Sequence, residues 1–335
     1  MIKVGIVGFG VMGRTHFQAW RGQEGAEVAA VCEANPEVLA KTTVTGNMDQ
    51  QSGKVDLSGV AVYGDFDRML AEGGLDAVSI TLPTHLHPAF TIKALDAGVH
   101  VLCEKPMALD TDACDEMIAA ADRSGKQLMI AQCIRFWPEY AWVKTAIDEG
   151  RFGKVLAANF DRLGSAPGWS ENSWFSDPAK SGGVTLDLHI HDADFVQYLF
   201  GTPDNIRASG ARLENGMLGH IVSEYDFRDN KSVTATASWM MSASYGFSMG
   251  FRIALEKATL VFASGHDPAL RVYPAEGESY SPDDLAEGDG YSGEIAHFTA
   301  LVAGTAEPKI TPTQAKESVR MALQAAEAVD AGERL

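Results

Sequence analysis

The sequence predicts an N-terminal α/β domain with a doubly wound parallel sheet, followed by an α+β domain with an open, mostly antiparallel sheet. Three observations support this prediction. A chain of 335 residues is too long for one ordinary hydrophobic core. Residues 1–133 alternate short apolar runs with helix-compatible segments, which is typical of parallel βαβ units. Residues 134–335 carry longer runs of alternating polarity joined by short turns, which favour antiparallel pairing.

The apolar runs of the N-terminal domain predict six strands, at residues 2–7, 28–33, 58–63, 76–82, 100–105 and 127–132. Helix-compatible segments fall between them, at residues 11–22, 85–97 and 111–124. A sheet built in this way binds its ligand beyond the carboxyl ends of the strands.

The turn between the first strand and the first helix reads GFGVMG, which places Gly8, Gly10 and Gly13 in the spacing G-x-G-x-x-G. Gly8 permits a tight turn, Gly10 lets a pyrophosphate approach the backbone, and Gly13 lets helix and strand pack closely. Glu33 ends the second strand, 20 positions after Gly13. A carboxylate there can bind the ribose hydroxyls of adenosine and repels a 2′-phosphate, so we predict a Rossmann domain that prefers NAD to NADP.

The fifth strand runs into the stretch VHVLCEKPMAL, residues 99–109. It delivers Glu104 and Lys105 to the carboxyl edge of the sheet, where a nicotinamide is expected, and Pro106 ends it. An ordinary surface lysine is the alternative interpretation, but the crevice of a doubly wound sheet favours a functional Lys105.

The stretch SGGVTLDLHIHDAD, residues 181–194, contains two histidines among acidic residues. The spacing of its apolar residues predicts a helix over 183–200, on which Asp187 and His191 share one face. His189 lies about 200° around the helix from His191, so this pair chelates poorly and no metal is expected. We expect His189 to be structural, whereas His191 is either an acid–base group or a hydrogen-bonded helix histidine.

The second domain is predicted to begin with a helix near 137–149. Strand-like runs follow, at residues 153–163, 205–213, 217–228, 231–241, 246–256 and 258–263. The polar segment 264–290 is rich in Asp, Glu, Gly and Pro, and is expected to be an exposed loop.

Six segments together resemble the Gfo/Idh/MocA family of oxidoreductases, which includes inositol and sugar dehydrogenases. They are GFGVMG (8–13), TLPTHLH (81–87), CEKP (103–106), RFWPEY (135–140), SGGVTLDLHIHDAD (181–194) and GYSGEIAHFTALV (290–302). The order of these segments behind a dinucleotide fingerprint is highly specific, and the resemblance covers nearly the whole chain. It implies the same two-domain fold, with a C-terminal sheet that often mediates oligomer contacts.

The resemblance also implies roles for individual residues. His191 takes the acid–base role, Asp187 binds or orients the substrate, and Lys105 hydrogen-bonds the reacting oxygen. Which of His191 and Lys105 first receives the proton is left open. Predicted cofactor contacts, combined with the fingerprint, are Gly8, Phe9, Gly10, Val11, Met12, Gly13, Glu33, Thr81, Pro83, His87, Glu104 and Lys105.

Predicted substrate contacts are Lys105, Arg162, Trp169, Trp174, Asp187 and His191. Aromatic faces stack on the C–H faces of sugars, and an arginine donates several hydrogen bonds to hydroxyls. The two tryptophans could equally anchor a loop that contains glycine and proline.

These features predict an NAD-dependent oxidoreductase that moves a hydride between a secondary alcohol of a sugar or inositol-like polyol and the nicotinamide. A redox-neutral enzyme that retains NAD and catalyses elimination, epimerisation or oxidative glycoside cleavage is the alternative. A regulator that senses NAD or sugar without catalysis is disfavoured by the presence of Lys105, Asp187 and His191 together.

The formal net charge of −18 and the pI of about 4.8 disfavour nucleic acid and anionic membranes as partners. The four cysteines form no C-x-x-C pair, which favours reduced thiols. No apolar run approaches the roughly 18 residues typical of a membrane span, and the N-terminus enters an apolar strand directly. We therefore expect a cytoplasmic protein. The family resemblance implies that it forms a homodimer or homotetramer and acts on a small-molecule sugar or polyol.

Overall fold

The computed structural model describes residues 1–41, 43–45, 50–52, 55–167 and 171–332. The chain divides into two compact units. The first unit comprises residues 1–133, 179–181 and 289–316, and the second comprises residues 134–178, 182–288 and 317–335.

The strands, in chain order, are β1 (Ile2–Val7), β2 (Ala26–Cys32), β3 (Thr43–Thr45), β4 (Gln50–Ser52), β5 (Ala61–Tyr63), β6 (Ala77–Ile80), β7 (His100–Glu104), β8 (Leu128–Ala131), β9 (Val155–Gly164), β10 (Asn205–Arg212), β11 (Leu218–Asp226), β12 (Ser232–Ser238), β13 (Phe247–Leu255), β14 (Ala258–Ala263) and β15 (Leu270–Pro274). The helices are α1 (Val11–Arg21), α2 (Pro36–Ala40), α3 (Phe66–Glu72), α4 (His87–Asp96), α5 (Thr111–Ser124), α6 (Pro138–Asp148), α7 (Pro178–Ser181), α8 (Ile190–Phe200), α9 (Gly290–Val302) and α10 (Pro312–Ala331). Among the described residues, no helix combines the length and the apolar character needed to cross a bilayer.

The first unit is built on a six-stranded sheet in the order β5-β2-β1-β6-β7-β8, with every pair parallel. The predicted doubly wound sheet is therefore confirmed. Strands β6 and β8 are buried along their whole length, which explains why they read as continuous apolar runs. The strand order reverses between β1 and β6, and ligands of such sheets bind at this reversal.

Three helices of the first unit begin at an aspartate whose side chain binds a free backbone N–H group. Asp65, Asp110 and Asp289 cap α3, α5 and α9 in this way. Helix α9 belongs to the first unit because it packs on α1, with the rings of Trp20 and Phe298 edge to face at 6.2 Å. The predicted domain division assigns all of 134–335 to the C-terminal domain, whereas residues 179–181 and 289–316 group with the first unit in the structure.

The second unit contains a seven-stranded sheet in the order β10-β11-β12-β9-β13-β14-β15. Only the β9–β12 pair is parallel, so the predicted open and mostly antiparallel sheet is confirmed. One face packs on helices, where Tyr140 of α6 meets Phe251 and Phe262 of the sheet, and Phe195 of α8 meets Phe160 of β9. Inward residues alternate with half-exposed ones along β11 and β14, as expected for a sheet with one covered face.

Two features of the second unit differ from the sequence-based expectations. Strand β15 lies within segment 264–290, which was predicted to be a loop, and it pairs with β14. Only Leu270 and Val272 of β15 are buried, so its apolar signal is too short to separate from the polar surroundings. The predicted helix over 183–200 is present as α8, preceded by a π-helical turn over Thr185–His189.

Candidate active site

The glycine-rich turn lies at the carboxyl end of β1. Gly8 has φ +87°, a left-handed conformation that favours glycine. A Cβ on Gly13 would overlap the carbonyl oxygen of Gly8, so the close approach of α1 to the turn requires glycine there. A Cβ on Gly10 would have no neighbour within 4 Å among the described residues. The geometry therefore leaves open space at the position predicted to face a pyrophosphate.

Glu33 follows β2 and reaches back to this turn. The Phe9 N–H donates to Glu33 Oε2 at 2.8 Å, and the Asn35 N–H donates to Oε1 at 2.9 Å. These bonds fix the carboxylate, and each oxygen keeps a second lone pair that could accept a ribose hydroxyl. The turn and Glu33 together thus fit the adenosine and pyrophosphate of NAD. Val11 and Met12 lie in the first turn of α1, half-buried, where free N–H groups favour phosphate.

Thr81 and Pro83 follow β6, the strand next to β1. The Thr81 hydroxyl lies 2.8 Å from the carbonyl oxygen of Gly8, which ties the two strand ends together. His87 is buried, with Nδ1 2.8 Å from the Pro106 carbonyl oxygen and Nε2 2.8 Å from the Leu82 carbonyl oxygen. Burial lowers the pKa of His87, although both carbonyls oppose this effect. The ring of His87 thus joins two backbone turns inside the unit, and the predicted cofactor contact of His87 stays a prediction.

Glu104 and Lys105 end β7 at the same edge of the sheet, but only one of them reaches the surface. Glu104 is buried and accepts hydrogen bonds from His16 Nε2 and from the Lys105 N–H, both at 3.0 Å. Both carboxylate oxygens of Glu104 thus face inward, and the cofactor contact predicted for Glu104 stays a prediction. Lys105 is the only residue from Val101 to Ala108 that is not buried. The peptide bond between Lys105 and Pro106 is cis.

In the second unit, Asp187 and His191 occupy the only open stripe of a buried helix. They are the only partly exposed side chains from Val184 to Gln197. Asp187 lies within the π-helical turn and His191 in the first turn of α8, and such turns are frequent at functional sites. The helix thus places a carboxylate and an imidazole side by side, as the spacing predicts.

His189 takes the structural role that the sequence predicts for it. It is buried, and its Nε2 lies 2.8 Å from the Ser223 hydroxyl and 3.2 Å from the Tyr225 hydroxyl. Burial lowers the pKa of His189 to about 4, so the ring is neutral at physiological pH. Its ring faces the sheet, whereas His191 faces the open stripe.

The predicted substrate contacts on β9 and on the loop after it lie in different surroundings. Arg162 is 3% exposed and pairs with both carboxylate oxygens of Asp192, at 3.3 and 3.2 Å. The guanidinium of Arg162 is thus an internal ion-pair partner in this structure, and the substrate role predicted for Arg162 stays a prediction. Trp174 stacks on Phe175 with 3.9 Å between ring centroids, which supports the loop-anchoring alternative. Trp169 lies outside the described residues.

Sequence reasoning missed two buried residues beside the strand ends, His16 and Glu294. His16 is three positions after Gly13, on the face of α1 that also carries Trp20, and Glu294 lies on the buried face of α9. The available signal was a charged or titratable residue on an otherwise apolar helix face. Such a residue is predicted to be buried, but the sequence does not identify the residue that it contacts.

Comparison with known proteins agrees with this geometry. A family model described as an oxidoreductase family with an NAD-binding Rossmann fold matches residues 2–132, and the Gfo/Idh/MocA C-terminal domain matches residues 140–261. Inositol 2-dehydrogenase of Rhizobium meliloti is 26% identical over 319 residues, which cover 91% of this chain and 90% of that protein.

Two further similarities extend the comparison. The 2,7-anhydro-N-acetylneuraminate hydratase of Mediterraneibacter gnavus is 33% identical over 218 residues, which cover 62% of this chain and 53% of that protein. The chain therefore spans about half the length of this relative. The solved UDP-N-acetylglucosamine 3-dehydrogenase of Acidithiobacillus ferrooxidans superposes with a TM-score of 0.79 at 26% identity, covering 98% of each chain. This chain belongs to the Gfo/Idh/MocA oxidoreductase family and carries the NAD-binding Rossmann fold of that family.

Proposed function

We propose that the protein is an NAD-dependent dehydrogenase that oxidises a secondary alcohol of a sugar or cyclic polyol. The observation that carries the proposal is the position of Lys105. It is the one unburied residue of its segment, and it lies at the carboxyl edge of the sheet that also holds the glycine turn and Glu33. Relatives named for inositol and for an N-acetylglucosamine nucleotide support a hydroxyl-rich substrate.

Three residues of the chain have separate roles in the proposed reaction. The Lys105 ammonium donates a hydrogen bond to the reacting hydroxyl oxygen and stabilises its developing negative charge. The His191 imidazole accepts the hydroxyl proton, and the Asp187 carboxylate accepts a hydrogen bond from a neighbouring hydroxyl and orients the ring. The chemistry supplied by bound NAD⁺ is acceptance of the hydride from the carbinol carbon.

The proposal includes a preference for NAD over NADP. The Glu33 carboxylate would repel a 2′-phosphate. The Arg14 guanidinium could attract one, but it is hydrogen-bonded to backbone carbonyls. Arg14 is buried and donates to the carbonyl oxygens of Val38 and Lys41, at 2.9 and 2.7 Å. It is therefore not arranged to bind a phosphate beside the ribose.

An absorbance assay for NADH tests the function. Purified protein is mixed with NAD⁺ or NADP⁺ and with a panel of inositols, hexoses and sugar nucleotides. A steady rise with one substrate, faster with NAD⁺, is the expected result. No reduction of either dinucleotide by any compound, with all compounds recovered unchanged, would contradict the proposal.

A redox-neutral reaction is the second candidate, and the similarity to a hydratase favours it specifically. Oxidation of a ring carbon acidifies its neighbour, so the same lysine and histidine could promote loss or addition of water. In that case mass spectrometry would detect a product differing by one water, while NADH does not accumulate.

A further inference from the structure

Two side chains without a role in the proposed mechanism, His16 and Glu294, meet Glu104 inside the first unit. They lie on α1, α9 and the end of β7 respectively, and they are 0%, 0% and 6% exposed. One ring nitrogen or carboxylate oxygen from each lies within 4.8 Å of the others. Burying a charge costs free energy, so the protonation state of each of these three groups depends on the other two.

Hydrogen bonds connect part of this cluster to Lys105. Trp20 Nε1–H donates to the Ser79 hydroxyl oxygen at 2.8 Å, and that hydroxyl lies 3.2 Å from His16 Nδ1. His16 Nε2 lies 3.0 Å from Glu104 Oε1, and Glu104 Oε2 accepts the Lys105 N–H. Every donor in this series of hydrogen bonds has an acceptor when the Ser79 hydroxyl donates to His16 Nδ1 and His16 Nε2–H donates to Glu104. An ionised Glu104 completes this series, because its carboxylate oxygens only accept hydrogen bonds.

Glu294 stands outside the chain of hydrogen bonds. Neither of its carboxylate oxygens has a hydrogen-bond partner among the described residues. His16 Nε2 lies 3.8 Å from Oε1, too far for a hydrogen bond, and its proton points to Glu104. An ionised Glu294 would therefore be a buried charge without a hydrogen bond, beside a second carboxylate.

The charged groups around both carboxylates favour opposite protonation states. Burial raises the pKa of Glu294 well above its usual value, and the charges of Glu104 and Asp289 raise it further. Burial alone would also raise the pKa of Glu104. The hydrogen bond from His16 and the positive charge of Lys105 hold the pKa of Glu104 below its usual value instead.

We propose that Glu294 carries a proton at neutral pH, so that the cluster holds one negative charge, on Glu104, which fixes the Lys105 main chain. Glu294 is thus a positioning residue, since it acts through the charge state of Glu104. The link to catalysis rests on the proposed role of Lys105, whereas the protonation of Glu294 does not.

Infrared difference spectroscopy tests the proton directly. Wild-type protein at neutral pH should show the carbonyl stretch of a buried carboxylic acid, and E294Q should lack that band. Glu307 is exposed and follows α9, so E307Q is the matched control and should keep the band. A wild-type spectrum without the band, or a band that survives in E294Q, overturns the proposal.

Thermal unfolding gives an independent readout. A raised pKa means that folded Glu294 holds its proton more tightly than unfolded Glu294, so wild-type stability falls as pH rises above the ordinary carboxyl range. Glutamine cannot ionise, so the Tm of E294Q relative to wild type should increase from about pH 5 to about pH 9. A constant difference contradicts the proposal. One divalent cation bound per chain in the purified protein also overturns it, because the cation would replace the proton.

Kinetics tests the link to Lys105. E104Q removes the negative charge and keeps the shape, so kcat should fall about tenfold or more while the Kd for NADH changes little. An unchanged kcat in E104Q overturns the positioning role. If wild-type protein lacks turnover altogether, the proposed function fails, and the infrared and unfolding results still decide the protonation of Glu294.

Discussion

Lys105, Asp187 and His191 share a property at the scale of single residues, since each is partly exposed within a segment that is otherwise buried. A charged or polar side chain at such a position has a backbone fixed by its buried neighbours and a side chain that is partly exposed. This combination of rigidity and access is what a catalytic group requires.

Replacing Lys105 with methionine should lower kcat by about 10²–10⁴-fold, because the proposed donor to the reacting oxygen would be lost. The Kd for NADH, measured by fluorescence titration, should stay within about threefold, since the glycine turn and Glu33 are predicted to bind the adenosine half. Lys93, a half-exposed lysine of the same unit, provides the control variant K93M. Full turnover in K105M would remove Lys105 from the mechanism.

Replacing His191 with alanine should also lower kcat, by about 10²–10⁴-fold, through loss of the acid–base group. The exposed His85 provides the control variant H85A, which should keep wild-type turnover. Equal turnover in H191A and wild type across the pH range would identify His191 as a structural helix histidine.

His189 should make the stability of the protein depend on pH. Its pKa is about 4 in the folded chain and about 6.5 when unfolded, so protonation favours unfolding. The stabilising effect is complete above pH 6.5 and is lost as pH falls towards 4, by at most about 3 kcal/mol. Denaturant unfolding of H189Q should show a weaker loss over this range, whereas H266Q, at an exposed site, should behave as wild type. Parallel pH curves for H189Q and wild type would contradict this.

At the scale of elements, the turn between β1 and α1 uses glycine for two different reasons. Gly13 allows close packing, and Gly10 leaves space for a ligand. G13A should destabilise the fold by about 1–3 kcal/mol, because its Cβ would overlap the Gly8 carbonyl. G10A should fold normally, since there is space for its Cβ, and should bind NADH more weakly because that space is predicted to hold the pyrophosphate. Urea unfolding and NADH titration of both variants distinguish the two effects. Normal NADH affinity in G10A would contradict the predicted position of the pyrophosphate.

The elements also show how far sequence patterns reach. Helix α5 and strand β14 occupy their predicted ranges, because buried elements several residues long leave a clear period. Strand β15 was missed because only two of its residues face inward. Lys105 and the pair Asp187 and His191 followed from motifs, whereas the internal pairing of Arg162 depends on Asp192, 30 positions away. No local pattern reports such a contact.

The whole molecule is predicted to form a homodimer or homotetramer. One face of the seven-stranded sheet packs on helices, while the other presents half-exposed residues such as Val222 and Val261. Light scattering at micromolar concentration should give a multiple of the 35.9 kDa chain mass, and V261E should shift it towards the monomer. A monomeric wild-type mass would refute the prediction.

The membership of α9 in the first unit has a consequence for synthesis on the ribosome. A nascent chain that has emerged to residue 133 has all six strands of its parallel sheet, but Trp20 lacks the ring of Phe298. Residues 134–288 are translated first, which takes roughly 8–30 s at about 5–20 residues per second. Throughout that interval the apolar side of α1 has no partner helix, so this surface is where a holdase chaperone would engage the growing polypeptide.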